Sequence, residues 1–102
     1  MAAELSVTST DLDSSHLVTV AGEVDVATAP ELAEYLAQFT DRPVIVDLSA
    51  VSFLDSSGLN ALLAAHRHLE RHESKLTIRG ATPIVRRVFE VSGFDALLNV
   101  EP

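Results

Sequence analysis

The stretch Val44–Leu59, VIVDLSAVSFLDSSGL, decides the fold, because an apolar run passes through a short turn into Asp-Ser-Ser-Gly and then into a helical pattern. The run from Val44 to Leu48 opens with three consecutive apolar residues, which is typical of an interior strand buried on both faces. Ser56 and Ser57 fall where the helix begins. A helix start has unpaired N–H groups and partial positive charge, so we expect it to hold a phosphate added there.

Before this stretch, the pattern predicts two paired antiparallel strands, near Leu5 to Thr10 and at Leu17 to Ala21. A polar turn separates them, and Gly22 ends the second. A helix is predicted to start at Thr28 or Ala29. Thr28 and Glu31, three residues later, form a capping box, and Pro30 lies near the first helical position. The apolar face of this helix is predicted at Leu32, Tyr35, Leu36 and Phe39.

After the stretch, the pattern predicts a helix from about Ser57 to about Glu73, a strand over Lys75–Arg79 and a third helix from Thr82 that ends at Gly93. The order β-β-α-β-α-β-α indicates an α/β (α+β) fold, with a mixed, mostly parallel sheet and helices chiefly on one face. The type of a last apolar element is left open. The second helix is predicted to place Leu59, Leu62, Leu63, His66 and Leu69 along one inward stripe. The third helix carries the apolar residues Ile84, Val85, Val88 and Phe89, and the last element contains Phe94, Leu97, Leu98 and Val100.

Composition narrows the classes of function. The 102 residues, 47% of them apolar, suit a single domain over residues 1–102 with its own core. There is no cysteine, which excludes disulfides and thiolate chemistry. The formal charge of −8 disfavours binding to nucleic acid or to an anionic membrane. The N-terminus has no leader pattern and no run is long enough to span a membrane, so we expect a cytoplasmic protein.

Several kinds of catalytic or metal chemistry are disfavoured by spacing. His68 and His72 share a helix face, but no third metal ligand accompanies them. The carboxylates of Glu23, Asp25 and Asp55 have no evident acid–base partner. Ser56 lacks the first glycine of a hydrolase nucleophile elbow, and the scattered glycines form no nucleotide-binding loop. On local physics alone, a serine that caps the helix is favoured over a regulatory serine, and Asp25 is equally well explained as a turn residue.

Three motifs together carry a family resemblance. They are Gly22-Glu23-Val24-Asp25 followed by Thr28–Leu32, then Val46–Leu59, and finally Val85–Phe94. In this order and spacing they resemble the STAS family of bacterial anti-sigma factor antagonists over almost the whole chain. The resemblance implies a phosphoprotein that acts in transcription regulation and stress response by partner switching. In its unphosphorylated form, such a protein binds an anti-sigma factor that is also a serine kinase of ATPase fold, and a sigma factor is released.

The resemblance also implies roles for individual residues. Ser56 matches the phosphoacceptor, Ser57 the serine that follows it, and Asp25 an aspartate of the kinase-facing surface. The kinase supplies ATP and magnesium and a phosphoserine phosphatase resets the switch, so we expect no catalysis by this chain and no cofactor of its own. The partner-binding surface is expected to comprise Glu23, Asp25, Asp55, Ser56, Ser57, Gly58 and Leu59.

Two alternatives remain open at this point. One is a non-switching STAS subunit of a stress-signalling or lipid-transport assembly, against which the intact Asp-Ser-Ser-Gly sequence and the short chain argue. The other is a small hydrolase that uses Ser56. The sequence leaves the oligomeric state open, and the expected effect of phosphorylation is a local electrostatic change at Ser56 with no large rearrangement of the fold.

Overall fold

A computed structural model of the chain describes residues 4–102. The prediction that the N-terminus carries no leader rests in part on residues 1–3, which lie outside this range. The elements, in chain order, are β1 (Ser6–Asp11), β2 (His16–Val24), α1 (Ala29–Ala37), β3 (Val44–Leu54), α2 (Ser56–Arg71), β4 (Leu76–Arg79), α3 (Pro83–Ser92), a 3₁₀ turn (Phe94–Ala96) and β5 (Asn99–Val100). No helix in the described range has the length and apolar character needed to cross a membrane.

The strands form one five-stranded sheet in the order β1-β2-β3-β4-β5. β1 and β2 are antiparallel, and each later neighbouring pair is parallel. The predicted α/β class and mostly parallel sheet are therefore confirmed. The last apolar segment, whose type the sequence left open, divides into the 3₁₀ turn and the short edge strand β5.

The central strand β3 differs from its prediction in two ways. Val44, Val46 and Leu48 are buried, whereas Ile45 between them is partly exposed, so burial on both faces was the wrong expectation. The helices cover one face of the sheet, and the buried side chains point toward them. The strand also continues to Leu54, through residues predicted to form a turn. Its buried positions there recur every third residue instead of every second, so this part of the strand lacks the alternation from which a strand is predicted.

Irregular pairing with β2 explains that spacing. The β2–β3 register shifts between Thr19 and Ala21 and again between Gly22 and Glu23, as at a β-bulge, where an extra residue changes which side chains face the core. Gly22 does not end β2 as predicted, and the strand runs on to Val24. Gly22 has a φ of 102°, and a Cβ there would overlap the carbonyl oxygen of Glu4, so glycine is required at this bend.

The helices begin and end close to their predicted bounds. Gly93 adopts the expected left-handed conformation after α3, with a φ of 81°. On the predicted inward stripe of α2, His66 is buried but Leu63 is only partly buried. Ile84 on α3 and Leu97 after it are exposed. Ile84 lies one residue before the buried Val85, so it points away from the sheet. The largest fully buried side chains that join helices and sheet include Leu32, Leu36, Leu48, Leu54, Leu62, Leu69, Leu76, Ile78 and Phe89.

An ion cluster joins two loops at the end of the sheet where β2 and β3 begin. Arg42 Nη1 donates to Asp11 Oδ1 at 2.8 Å, and Arg42 Nε donates to Asp41 Oδ2 at 3.1 Å. His16 Nε2 lies 2.9 Å from Asp41 Oδ1, and its ring packs on Phe39 with centroids 4.6 Å apart. The cluster ties the β1–β2 turn to the segment between α1 and β3, and sequence patterns gave no sign of it.

Candidate functional site

Two aspartates follow neighbouring parallel strands and therefore meet at one edge of the sheet. Val24 and Leu54, the last residues of β2 and β3, are register partners. Asp25 and Asp55 come next on each strand. The Asp55 N–H donates to the Val24 carbonyl oxygen at 3.1 Å, which joins the two loops directly. The structure thus brings together the two acidic residues that the sequence nominated separately.

Asp55 is the N-cap of α2. Its backbone is extended, with φ −106° and ψ −168°, and its Oδ1 accepts the N–H of Ser57 at 2.8 Å and of Gly58 at 3.2 Å. The capping role that local physics assigned to one of the serines belongs to this carboxylate instead. Two of the N–H groups that were expected to hold a phosphate at this helix start are therefore already bonded to Asp55.

Ser56 is the first residue of α2, and its side chain is exposed. Its hydroxyl makes no hydrogen bond to any residue from 4 to 102, because the carboxylate beside it does the capping. Ser57 is half-buried on the next position of the turn. An enzyme could therefore reach the Ser56 hydroxyl without first breaking a hydrogen bond to residues 4–102.

Two apolar grooves flank the serines. The α2–α3 groove, about 370 Å³ in volume, is lined by Ser56, Leu59, Arg87, Val88, Val91 and Ser92. The α1–α2 groove lies on the other side of the serines and is mostly apolar. It is lined by Ser57, Asn60, Val26, Ala29, Pro30, Ala33, Ala61 and Ala64. The start of α2 is therefore a polar ridge between two apolar depressions, an arrangement that suits a protein partner more than a small polar substrate.

Gly58 and Leu59, also expected in the partner surface, are buried. A Cβ on Gly58 would lie 2.8 Å from Leu54 Cγ and 2.9 Å from Val24 Cγ1. Gly58 thus lets α2 approach the ends of β2 and β3 closely. This contact fixes where Ser56 stands relative to the Asp25 loop, so Gly58 positions the surface and is not itself part of it.

The Asp25 loop is held by its own hydrogen bonds. Asp25 Oδ1 accepts the N–H groups of Thr28 at 3.0 Å and Ala27 at 2.9 Å, and these bonds lower the pKa of Asp25. Thr28 Oγ1 accepts the Asp25 N–H at 3.0 Å and donates to the Glu23 carbonyl at 2.9 Å. Thr28 is the N-cap residue of α1, but its side chain makes no cap bond to the helix. The predicted capping box with Glu31 is therefore wrong, because the threonine hydroxyl faces the loop.

The groove beside Ser56 has no acid–base partner for a nucleophilic serine, since no histidine or carboxylate is among its lining residues. His66 Nε2 lies 3.4 Å from Glu70 Oε2, further along α2. The rings of His68 and His72 are 4.8 Å apart. Among residues 4–102, no group of three histidine or carboxylate side chains is placed to hold a metal ion.

Three exposed residues beside the serines were missed by the sequence reasoning. Val26 has 76% of its surface exposed, Val91 has 75%, and Arg87 lines the groove with Ser56. One sequence signal was available. Helix α3 has two apolar stripes, because Ile84, Val88 and Val91 follow at intervals of four and three residues beside the buried pair at Val85 and Phe89. A helix that packs on a sheet by one face needs only one such stripe.

The sheet and its helices have the fold of a STAS domain. The model of the STAS domain family matches residues 7–102, and the chain belongs to this family. An anti-sigma-B factor antagonist of Staphylococcus aureus is 35% identical to it over 99 residues, which cover 94% of this chain and 92% of that protein. The family predicted from the three motifs is thereby confirmed.

Solved structures agree with this assignment. The crystal structure of an anti-sigma factor antagonist from Mycobacterium paratuberculosis matches with a TM-score of 0.86 and 29% identity, over 97% of this chain and 86% of that one. The Bacillus cell fate determinant SpoIIAA in its phosphorylated form matches with a TM-score of 0.70 over 95% of this chain and 92% of that one. At 20% identity the second similarity shows the fold alone.

Proposed function

We propose that this chain is a cytoplasmic anti-sigma factor antagonist controlled by phosphorylation of Ser56. In its unphosphorylated form it binds an anti-sigma factor that is also a serine kinase, and a sigma factor is released. The kinase transfers the γ-phosphoryl group of ATP to Ser56 and thereby ends the interaction, and a phosphoserine phosphatase restores it. The chain is a protein substrate in this cycle and needs no catalytic group or cofactor of its own.

One observation carries the proposal: the cap of α2 is Asp55, and the neighbouring Ser56 hydroxyl is exposed and without a hydrogen bond to the described residues. A serine that capped the helix would accept a hydrogen bond from a backbone N–H group of the first turn. The Ser56 hydroxyl does not cap α2 and makes no hydrogen bond within residues 4–102. Its place on a ridge between two apolar grooves supports a role in contact with another protein.

Charge provides the mechanism of release. A phosphate adds about −1.5 to −2 charges at neutral pH. Asp25 and Asp55 lie on loops at the same end of the sheet, and the carboxylate of Asp25, whose pKa is lowered by its hydrogen bonds to the Thr28 and Ala27 N–H groups, is ionised at neutral pH. A partner that fits the unmodified surface would have to bury this added charge or face it across the interface. Like charges that meet across an interface cost several kcal/mol.

The two grooves define how the partner is held. Val26, next to Asp25, and Val91, on the other side of Ser56, are largely exposed apolar residues at the two ends of the surface. A partner that contacts both would cover Ser56 between them. The binding energy then comes mainly from apolar contact, and the phosphate disrupts that contact at its centre.

The proposal is tested by capture of partners from the native cell with the Ser56→Ala variant as bait. This variant cannot be phosphorylated at the site, so it is expected to retain an ATPase-fold kinase. Ser57→Ala is the matched control, because it removes the adjacent hydroxyl and leaves the acceptor intact. Recovery of transporter or signalling-scaffold subunits without a kinase would instead support the non-switching STAS subunit.

Phosphopeptide mapping identifies the acceptor itself. After incubation of the chain with the recovered kinase and ATP, the phosphate is expected on Ser56 in the wild type and in Ser57→Ala. It is expected to be absent from Ser56→Ala. A phosphate found only on Ser57 would refute the site assignment. If neither Ser56 nor Ser57 carried a phosphate, the switch would be refuted.

A further inference from the structure

A phosphate on Ser56 would find two N–H groups in the first turn of α2 already hydrogen-bonded. Asp55 Oδ1 accepts the N–H groups of Ser57 and Gly58, at 2.8 and 3.2 Å. Asp55 is next to Ser56 in the chain, so the phosphate would lie beside a carboxylate, and these two N–H groups would not be free to bind it. A positively charged partner for the phosphate within the chain would have to come from another element.

Arg87 on α3 is the charged residue of the α2–α3 groove, which it lines together with Ser56. Its neighbour Arg86 donates from Nη2 to the Glu101 carbonyl oxygen at 2.9 Å, and Arg79 pairs with the Glu101 carboxylate at 3.2 Å. Arg87 makes no ion pair with any residue in the described part of the chain. Arg87 is an exposed residue, and it lines the same groove as the acceptor serine and the apolar side chains of Leu59, Val88 and Val91.

We propose that Arg87 is the internal counter-ion of phosphorylated Ser56. This inference rests on the proposed phosphorylation of Ser56. The guanidinium binds the phosphate oxygens across the α2–α3 groove, as its planar set of donors allows. The pair then lies over Leu59, Val88 and Val91. Phosphorylation thus acts twice on the partner surface, because it adds charge at Ser56 and places a charged pair over the neighbouring apolar groove.

The test measures the second ionisation of the phosphate, which has a pKa of about 6 in a free phosphoserine side chain. Phosphoserine is installed at position 56 during synthesis or by ligation, so that no kinase is required, and the folded protein is titrated by ³¹P NMR. A nearby cation stabilises the dianion and lowers this pKa. We expect Arg87→Gln to raise the pKa by about 0.5 pH unit, the size expected for an exposed, charge-assisted pair, and Arg87→Lys to restore part of the difference.

Arg67→Gln is the matched control. Arg67 is an exposed arginine of α2, eleven residues beyond Ser56 and therefore about 16 Å further along the helix axis. At physiological salt this exceeds the screening length of about 8 Å. We expect Arg67→Gln to leave the phosphate pKa unchanged. Equal pKa values in the wild type and Arg87→Gln, or equal shifts in the two glutamine variants, would overturn the proposal.

The test is separate from that of the proposed function. A cellular kinase that ignores Ser56 would refute the switch but would not alter the titration of an installed phosphoserine. Conversely, a phosphate pKa that does not depend on Arg87 would overturn the counter-ion while phosphopeptide mapping still placed the phosphate on Ser56. The ¹⁵N spectrum of each variant shows whether the domain is folded during the titration.

Discussion

Replacement of Gly58 by alanine probes the contact that places the start of α2 against the sheet. In an ordinary exposed helix position, glycine to alanine stabilises by roughly 0.5–1 kcal/mol. At Gly58, the new Cβ would lie 2.8 Å from Leu54 Cγ and 2.9 Å from Val24 Cγ1. Carbon atoms in favourable contact are about 3.5–4.0 Å apart, so the neighbours must yield by about 0.6 Å.

The cost of this overlap exceeds the gain in helix propensity. Leu54 and Val24 are almost fully buried, with 2% and 0% of their surfaces exposed, so neither can turn toward solvent. An inserted methyl group in a packed core costs about 1–3 kcal/mol. We therefore expect Gly58→Ala to be less stable than the wild type by about 1 kcal/mol, which lowers the Tm by about 4–8 °C in a domain near this size.

Urea unfolding followed by far-UV circular dichroism measures the difference. Asn60→Ala, an exposed position in the same helix, is the control for helix propensity and is expected to be as stable as the wild type or slightly more stable. If Gly58→Ala is stabilised like Asn60→Ala, the close packing of α2 on β2 and β3 is not present, and the argument for the position of Ser56 fails.

Further predictions concern the cap, the hairpin and the Asp25 loop. Asp55→Ala removes both cap bonds of α2 and is expected to lower the free energy of unfolding by about 1 kcal/mol in urea, with Asp55→Asn close to the wild type. The Arg42 guanidinium is the main cause that lowers the pKa of Asp11 from 3.8 to about 2. This stabilisation is complete above about pH 5 and is lost as the pH falls through about 2, so the Tm difference between wild type and Asp11→Asn in calorimetry should shrink below about pH 4 and vanish only below about pH 2. Thr28→Val leaves the Asp25 N–H without its acceptor and should cost about 1 kcal/mol, with faster hydrogen exchange at that amide.

Local signals in the sequence were sufficient for most of the architecture. Helix α3 has its cap at Thr82, where Oγ1 accepts the Val85 N–H at 3.4 Å, and its left-handed glycine at Gly93, as the pattern predicted. The strand order β1 to β5 follows the chain, so connections between neighbouring elements are enough to derive it. The full length of β3 was not predictable in this way, because its later burial pattern depends on bulged pairing with β2.

The candidate site was only partly predictable, for a related reason. The sequence nominated Asp25, Asp55 and Ser56, but the division of roles between Asp55 and Ser56 depends on backbone geometry at the start of α2. A carboxylate and a hydroxyl are both good caps, so composition does not decide between them. Arg87 comes to Ser56 from a helix about 30 residues later in the sequence, and only the packing of α3 reveals that they line one groove.

The most direct test of the account is the affinity of the anti-sigma factor kinase for the chain with and without a phosphate on Ser56. Calorimetry in the absence of ATP keeps the unmodified chain unmodified, and a chain with installed phosphoserine at position 56 is compared with it and with Ser56→Ala. We expect the unmodified chain and Ser56→Ala to bind alike, and the phosphorylated chain to bind about 100-fold more weakly or worse. Equal affinity for all three would contradict a phosphorylation switch at Ser56.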